Sequence, residues 1–208
     1  MRVPRLLVVS AALLGVVLIS PPASAAPAAQ AAAGKTFSGQ GDDVARITAT
    51  KARAIITLTH RGEENFVVWA LKPGGKQSEL VVNTIGDYSG TNVFNVYSWS
   101  KTSAFEINAD GDWKAVVRPI SHAPLWKTAT VRNQGDKVVK LKAPTRGLRT
   151  LRYKHSGDGH FAIYAFPLAG NPDLLVNKIG AVGGKVRIPA GTKYVSVSAN
   201  GKWYMTRD

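Results

Sequence analysis

The sequence predicts an all-β protein: two tandem antiparallel β-sandwiches, jelly-roll-like in outline, behind a cleaved signal peptide. Three observations carry that expectation. The chain repeats itself. Its apolar segments are short, β-branched or aromatic, and bounded by Gly, Pro, Asn or Asp. No stretch beyond the first 34 residues holds a helical period long enough to form a helix.

The elements follow in chain order. Arg2 and Arg5 precede an apolar run over residues 6–20, which Pro21 and Pro22 break, and Ala23-Ser24-Ala25 supplies small residues for a signal peptidase. That pattern reads as a signal peptide over residues 1–25 and predicts a secreted, extracellular protein. The run is shorter than the roughly 20 apolar residues that span a bilayer. Residues 26–34 form an Ala-rich leader expected to lack structure, and no later apolar run suggests a membrane anchor in the mature chain. The 208 residues contain no cysteine, so neither disulfides nor a lipid on cysteine can hold this chain. Stability has to come from burial, and repeats over residues 35–118 and 125–208 are each long enough for a modest core.

The repeat is read from ordered matches. Gly41-Asp42 recurs as Gly135-Asp136, and His60-Arg61-Gly62 as His155-Ser156-Gly157. Phe66 recurs as Phe161, and the Leu-Val-Val-Asn-Thr-Ile-Gly run ending at Gly86 recurs in the segment ending at Gly180. Ala109-Asp110-Gly111-Asp112-Trp113 recurs as Ala199-Asn200-Gly201-Lys202-Trp203. The offset holds at 94 or 95 residues, then falls to 90 after a loop that is shorter in the second copy.

Within the first copy, residues 44–50, 54–60, 66–71, 80–85 and 104–108 read as strands, in a total of seven or eight per copy. Alternation assigns their faces. Ala45, Ile47, Ile56 and Leu58, with Val139, Leu141, Leu151 and Tyr153 in the second copy, point inward. So do Phe66, Val68 and Ala70, with Phe161, Ile163 and Ala165, and Trp113 and Trp203 are expected to plug the cores. Asp110-Gly111 and Asn200-Gly201 suit two-residue type I′ hairpins, whose central residues both need positive φ. Residues 119–124 are the expected linker.

The motifs Gly-x-Gly-Asp, His-x-Gly-x-x-Asn-Phe, Leu-Val-Val-Asn-x-Ile-Gly-x-Tyr-x-Gly and Ala-Asp-Gly-x-Trp, over residues 39–113 and again in 133–203, resemble a repeat domain of secreted or surface proteins of high-GC Gram-positive bacteria. The second copy departs at His160, where the first has Asn65, and at Val182, where the first has Tyr88. More loosely, the layout resembles the jelly-roll accessory domains of secreted peptidases. The resemblance implies a secreted β-sandwich, no catalytic activity and no particular ligand.

The residues offer several sites, each with a plainer explanation beside it. His60 and His155 fall on the inward phase at a strand end, which favours rings that bond the backbone over catalytic ones. His155, Asp158 and His160 are metal-ligating types, but the first copy has no equivalent set, so no metal and no cofactor is expected. Asn83 and Asn177 suit turn closure better than ligand contact. Asp42-Asp43 and Glu63-Glu64 are not kept as carboxylate pairs in the second copy, and no nucleophile elbow or phosphate-cradling loop occurs, so no enzyme is expected.

Charge is the strongest signal. Residues 35–118 carry ten Lys/Arg against nine Asp/Glu, whereas residues 119–208 carry fifteen against four. Lys140, Lys142, Arg152 and Lys154 take outward positions on consecutive strands of the second copy, extended by Arg146 and Arg149 in the loop between them. If those strands are neighbours, the six form one basic face. Such a face suits an anionic cell-envelope polymer, an acidic polysaccharide or an acidic protein. No groove-reading element suggests sequence-specific nucleic acid recognition. The expected function is a non-enzymatic binding module. The alternatives are a neutral-carbohydrate module stacking sugars on Trp69 or Tyr164, with Trp99 and Trp126 as lesser candidates, and a structural or protein-interaction module. Packing between the copies is the cheaper use of the first two aromatics.

Overall fold

A computed structural model describes residues 34–147 and 149–207. The signal-peptide reading of residues 1–25 and nearly all of the 26–34 leader fall outside them. Sixteen strands follow in order, eight per copy. The first copy holds β1 (Lys35–Gln40), β2 (Asp43–Thr50), β3 (Ala54–Arg61), β4 (Asn65–Leu71), β5 (Gln77–Ile85), β6 (Tyr88–Phe94), β7 (Thr102–Asn108) and β8 (Asp112–Pro119). A 3-10 turn, Ile120–His122, leads onward. The second copy holds β9 (Thr130–Gln134), β10 (Lys137–Lys140), β11 (Arg149–His155), β12 (His160–Pro167), β13 (Asp173–Ile179), β14 (Val182–Ile188), β15 (Thr192–Ala199) and β16 (Lys202–Arg207).

The sheets have strand orders β1-β8-β3-β6 and β2-β7-β4-β5 in the first copy, and β9-β16-β11-β14 and β10-β15-β12-β13 in the second. All the pairings between these strands are antiparallel. The orders are identical once the strands of the second copy are renumbered by eight. Each is the eight-stranded double Greek key of a jelly roll.

The inward residues meet as alternation requires. Ile56, Leu58, Phe66, Val68, Phe105, Ile107 and Trp113 lie in one core. Leu151, Tyr153, Phe161, Ile163, Val197 and Trp203 lie in its counterpart. Each tryptophan also fixes the chain entering its sandwich: Trp113 Nε1 donates to the Gly41 carbonyl at 2.9 Å, and Trp203 Nε1 to that of Gly135 at 2.8 Å.

The hairpin expectation is corrected. β7 and β8 belong to different sheets, as do β15 and β16, so Asp110-Gly111 and Asn200-Gly201 carry the chain across the sandwich. Neither pair shows positive φ. Glycine is needed there for proximity instead. A Cβ on Gly111 would stand 1.9 Å from the Arg61 carbonyl oxygen, and one on Gly201 would stand 2.5 Å from Gly157 Cα.

The copies pack head to tail. Outward residues Ile55 on β3 and Val93 on β6 meet Val138 on β10, Phe166 on β12 and Tyr194 on β15, with Ala123 and Tyr164 in the same cluster. Polar latches surround it. Tyr88 Oη donates to Asp136 at 2.6 Å, and Arg53 donates to the carbonyls of Pro167 and Gly170. Burial and the adjacent Asp136 carboxylate raise the Tyr88 phenol well above its ordinary value, so it remains the donor. This packing covers the β3-β6 side of the first copy's β1-β8-β3-β6 face, while Thr36 and Ser38 on β1 and Lys114 on β8 stay exposed. The corresponding face of the second copy, β9-β16-β11-β14, is left outward.

Candidate functional site

The expected basic face does not form as a unit, because β10 and β11 lie in different sheets of the second sandwich. Outward residues on opposite sheets point to opposite sides. Alternation tells in from out, but it does not say which sheet a strand joins, and the loop between β10 and β11 crosses from one to the other.

The six residues separate into three groups. Lys140 is tied to the junction between the copies, where its Nζ donates to the Ser121 carbonyl at 2.6 Å. Lys142, Arg146 and Arg149 line a depression of about 600 Å³ at the end of the sandwich, together with Arg207. Arg152 and Lys154 remain on the outer face of β11.

That outer face is basic for a reason that pairwise alignment alone does not expose. Its side chains come from alternate residues of four strands: Lys185 and Arg187 on β14, Arg152 and Lys154 on β11, Lys202 and Tyr204 on β16, and Arg132 on β9. All six cations are exposed. None of the four strands contains an Asp or Glu. The Arg132 guanidinium lies 5.0 Å from the centroid of the Tyr204 ring, a cation–π contact that holds both side chains on the face.

The two copies are most informative at one pair of positions. In the first, Thr57 and Thr91 are direct cross-strand partners and their hydroxyls hydrogen-bond at 2.9 Å. In the second, the equivalent partners are Arg152 and Lys185. A self-satisfied neutral pair has become a like-charged one. Next to it, Val93 of the inter-copy contact is replaced by Arg187, and the latch residue Tyr88 by Val182. Two shallow depressions flank Lys154 and Tyr204. One, of about 480 Å³, opens over the side-chain-free Gly183 on β14, and the other, of about 540 Å³, lies toward Lys202 and Arg132.

The histidines take structural places. His60 Nδ1 is 2.9 Å from the Gly86 carbonyl oxygen, and His155 Nδ1 is 2.9 Å from that of Gly180. A carbonyl only accepts, so Nδ1 carries the proton in both. Each ring stacks on the phenylalanine of its copy, Phe66 at 4.4 Å and Phe161 at 4.6 Å. His60 Nε2 faces Asp110 Oδ1 at 3.2 Å. Backbone N–H groups of Glu64 and Glu63 hold the Asp110 carboxyl below its ordinary range, and the Asn200 amide does the same for Asp158. His160 turns outward to Asn177 Oδ1 at 3.0 Å. Among the described residues no three His, Asp, Glu or Cys side chains are grouped to hold a metal ion.

The aromatic candidates also part company. Tyr164 faces the first copy and packs into the inter-copy cluster, and Trp126 is buried in the second core beneath the Arg207 guanidinium. Trp69 is half-buried on the outer face of β4, with Leu80 and Glu106 as its cross-strand partners. Trp99 is the most exposed tryptophan among the described residues at 60%, stacked on Tyr97 at 5.2 Å. No protein-family model matches this chain, and no curated protein matches it.

Proposed function

We propose that the protein is a secreted, non-enzymatic binding module whose outer β9-β16-β11-β14 face engages an anionic partner. One observation carries the reading: Arg152 and Lys185 stand opposite each other where the first copy has a hydrogen-bonded threonine pair. Solubility alone asks only for mixed charge, whereas the described residues of these four strands supply six cations to this face and no Asp or Glu. A polyanion is drawn to such a cluster of cations and releases its own counterions on binding. Export is supported by the pattern of residues 1–25.

The test is retention on an immobilised anionic polysaccharide as salt is raised. The intact protein is expected to bind at low salt and to elute as ions screen the face. A Lys154→Glu/Lys185→Glu/Arg187→Glu variant should lose retention, while Lys142→Glu/Lys178→Glu, placed elsewhere, should keep most of it. Retention that ignores both salt and the triple reversal sinks the reading.

A second reading rests on the Tyr97–Trp99 stack. Glu79 pins the loop that carries it, accepting from the Val96 N–H and the Ser100 hydroxyl. An exposed, preorganised indole suits a neutral sugar ring. This reading expects binding that is indifferent to salt and is lost in Trp99→Ala without loss of fold.

A further inference from the structure

Resting on the anionic-partner reading, we infer that the ligand is a flexible linear polyanion that crosses the face on one diagonal, entering at Arg187 and leaving at Lys202. The strand registers place the cations in rows. Arg187 stands beside Thr150, Lys185 beside Arg152 and then Thr206 and Thr130, and Gly183 beside Lys154, Tyr204 and Arg132. Ser156 accompanies Lys202 in the next row, its N–H donating to the Lys202 carbonyl at 3.0 Å. Read across these rows, positive charge moves from one corner to the opposite one as Arg187, Lys185 with Arg152, Lys154, then Arg132 with Lys202.

Among the described residues, the other two corners carry no charge. One holds Thr130 and Thr206, whose hydroxyls satisfy each other at 2.8 Å. The other holds Gly183, which has no side chain, and Ala181 beyond the strand. A globular acidic protein would draw on a whole face, whereas a chain needs only a track. Depressions border the track on either side and share Lys154 and Tyr204, one over Gly183 and the other toward Lys202 and Arg132. Strand spacing and rise set its length at about 22 Å, with a cation every 5–7 Å or so. The chemistry that fits is one monoanionic group per repeating unit. A uronate polysaccharide and a phosphodiester-linked polyol share it.

The experiment measures affinity for oligouronates and for oligo(glycerol phosphates) of graded length, with the mature protein at low salt. Affinity should climb with length until the chain spans about 22 Å and then level off. The better of the two series identifies the anion. Arg187→Gln and Lys202→Gln, at the two ends, should each weaken the spanning oligomers by up to about fivefold and leave the shortest ones unaffected. Salt-sensitive binding with no length threshold, or with end variants no different from Lys142→Gln, overturns the track while leaving the anionic reading in place. Failure of every length in both series to bind removes the anionic reading, and the track with it.

Discussion

At the scale of single residues, two positions in the repeated motif carry separable predictions. Gly111 is held by the nearness of Arg61, so Gly111→Ala forces backbone apart and should destabilise the first sandwich by about 1–3 kcal/mol in denaturant unfolding. Asp110 acts through pH. Its carboxyl titrates lower folded than unfolded, so its contribution is complete above the unfolded value of about 3.9 and is lost as pH falls through the lower folded one. Asp110→Asn should therefore flatten the acid limb of the stability profile below about pH 4, leaving the part due to Asp158. The inward and outward sense of most residues was legible in the sequence, because alternation registers burial directly. The role of the Asp-Gly and Asn-Gly pairs was not, because the same dipeptides serve a tight hairpin and a crossing between sheets.

At the scale of elements, the strands named from β-branched runs match β2, β3, β4, β5 and β7, each within three residues at its ends. The runs that went unnamed, β1, β6 and β8, are rich in Gly, Ser, Asn or charge and have weaker patterns. The candidate site was half legible. Arg152 and Lys154 were identified, but Lys185, Arg187, Lys202 and Arg132 join them only through pairings made across 27 to 76 residues of chain, which no local pattern encodes. An all-threonine comparison at one rung gives a prediction of its own. Arg152→Thr/Lys185→Thr should weaken retention on anionic polymer at low salt, and the difference from the intact protein should shrink as salt screens the face.

At the scale of the whole molecule, the head-to-tail packing explains why similar sandwiches carry dissimilar charge. The first copy uses its β1-β8-β3-β6 face to hold the second, through Ile55 and Val93 against Phe166 and Tyr194. On the equivalent face of the second copy the contact residues are not repeated: Arg187 stands where the first has Val93, Thr150 where it has Ile55 and Val182 where it has Tyr88. Phe166→Ala should cost about 3–5 kcal/mol and loosen the contact between copies, seen as two thermal transitions in place of a coupled one. Binding by the outer face, remote from that contact, should persist below the first transition.

The most direct test of the cationic face is lysine footprinting with and without a saturating long anionic chain, either polyuronate or poly(glycerol phosphate). The outer-face reading predicts that Lys154, Lys185 and Lys202 become protected from acylation while Lys142 and Lys178 keep their reactivity. Protection spread evenly over these lysines, or concentrated on the first sandwich, would contradict it.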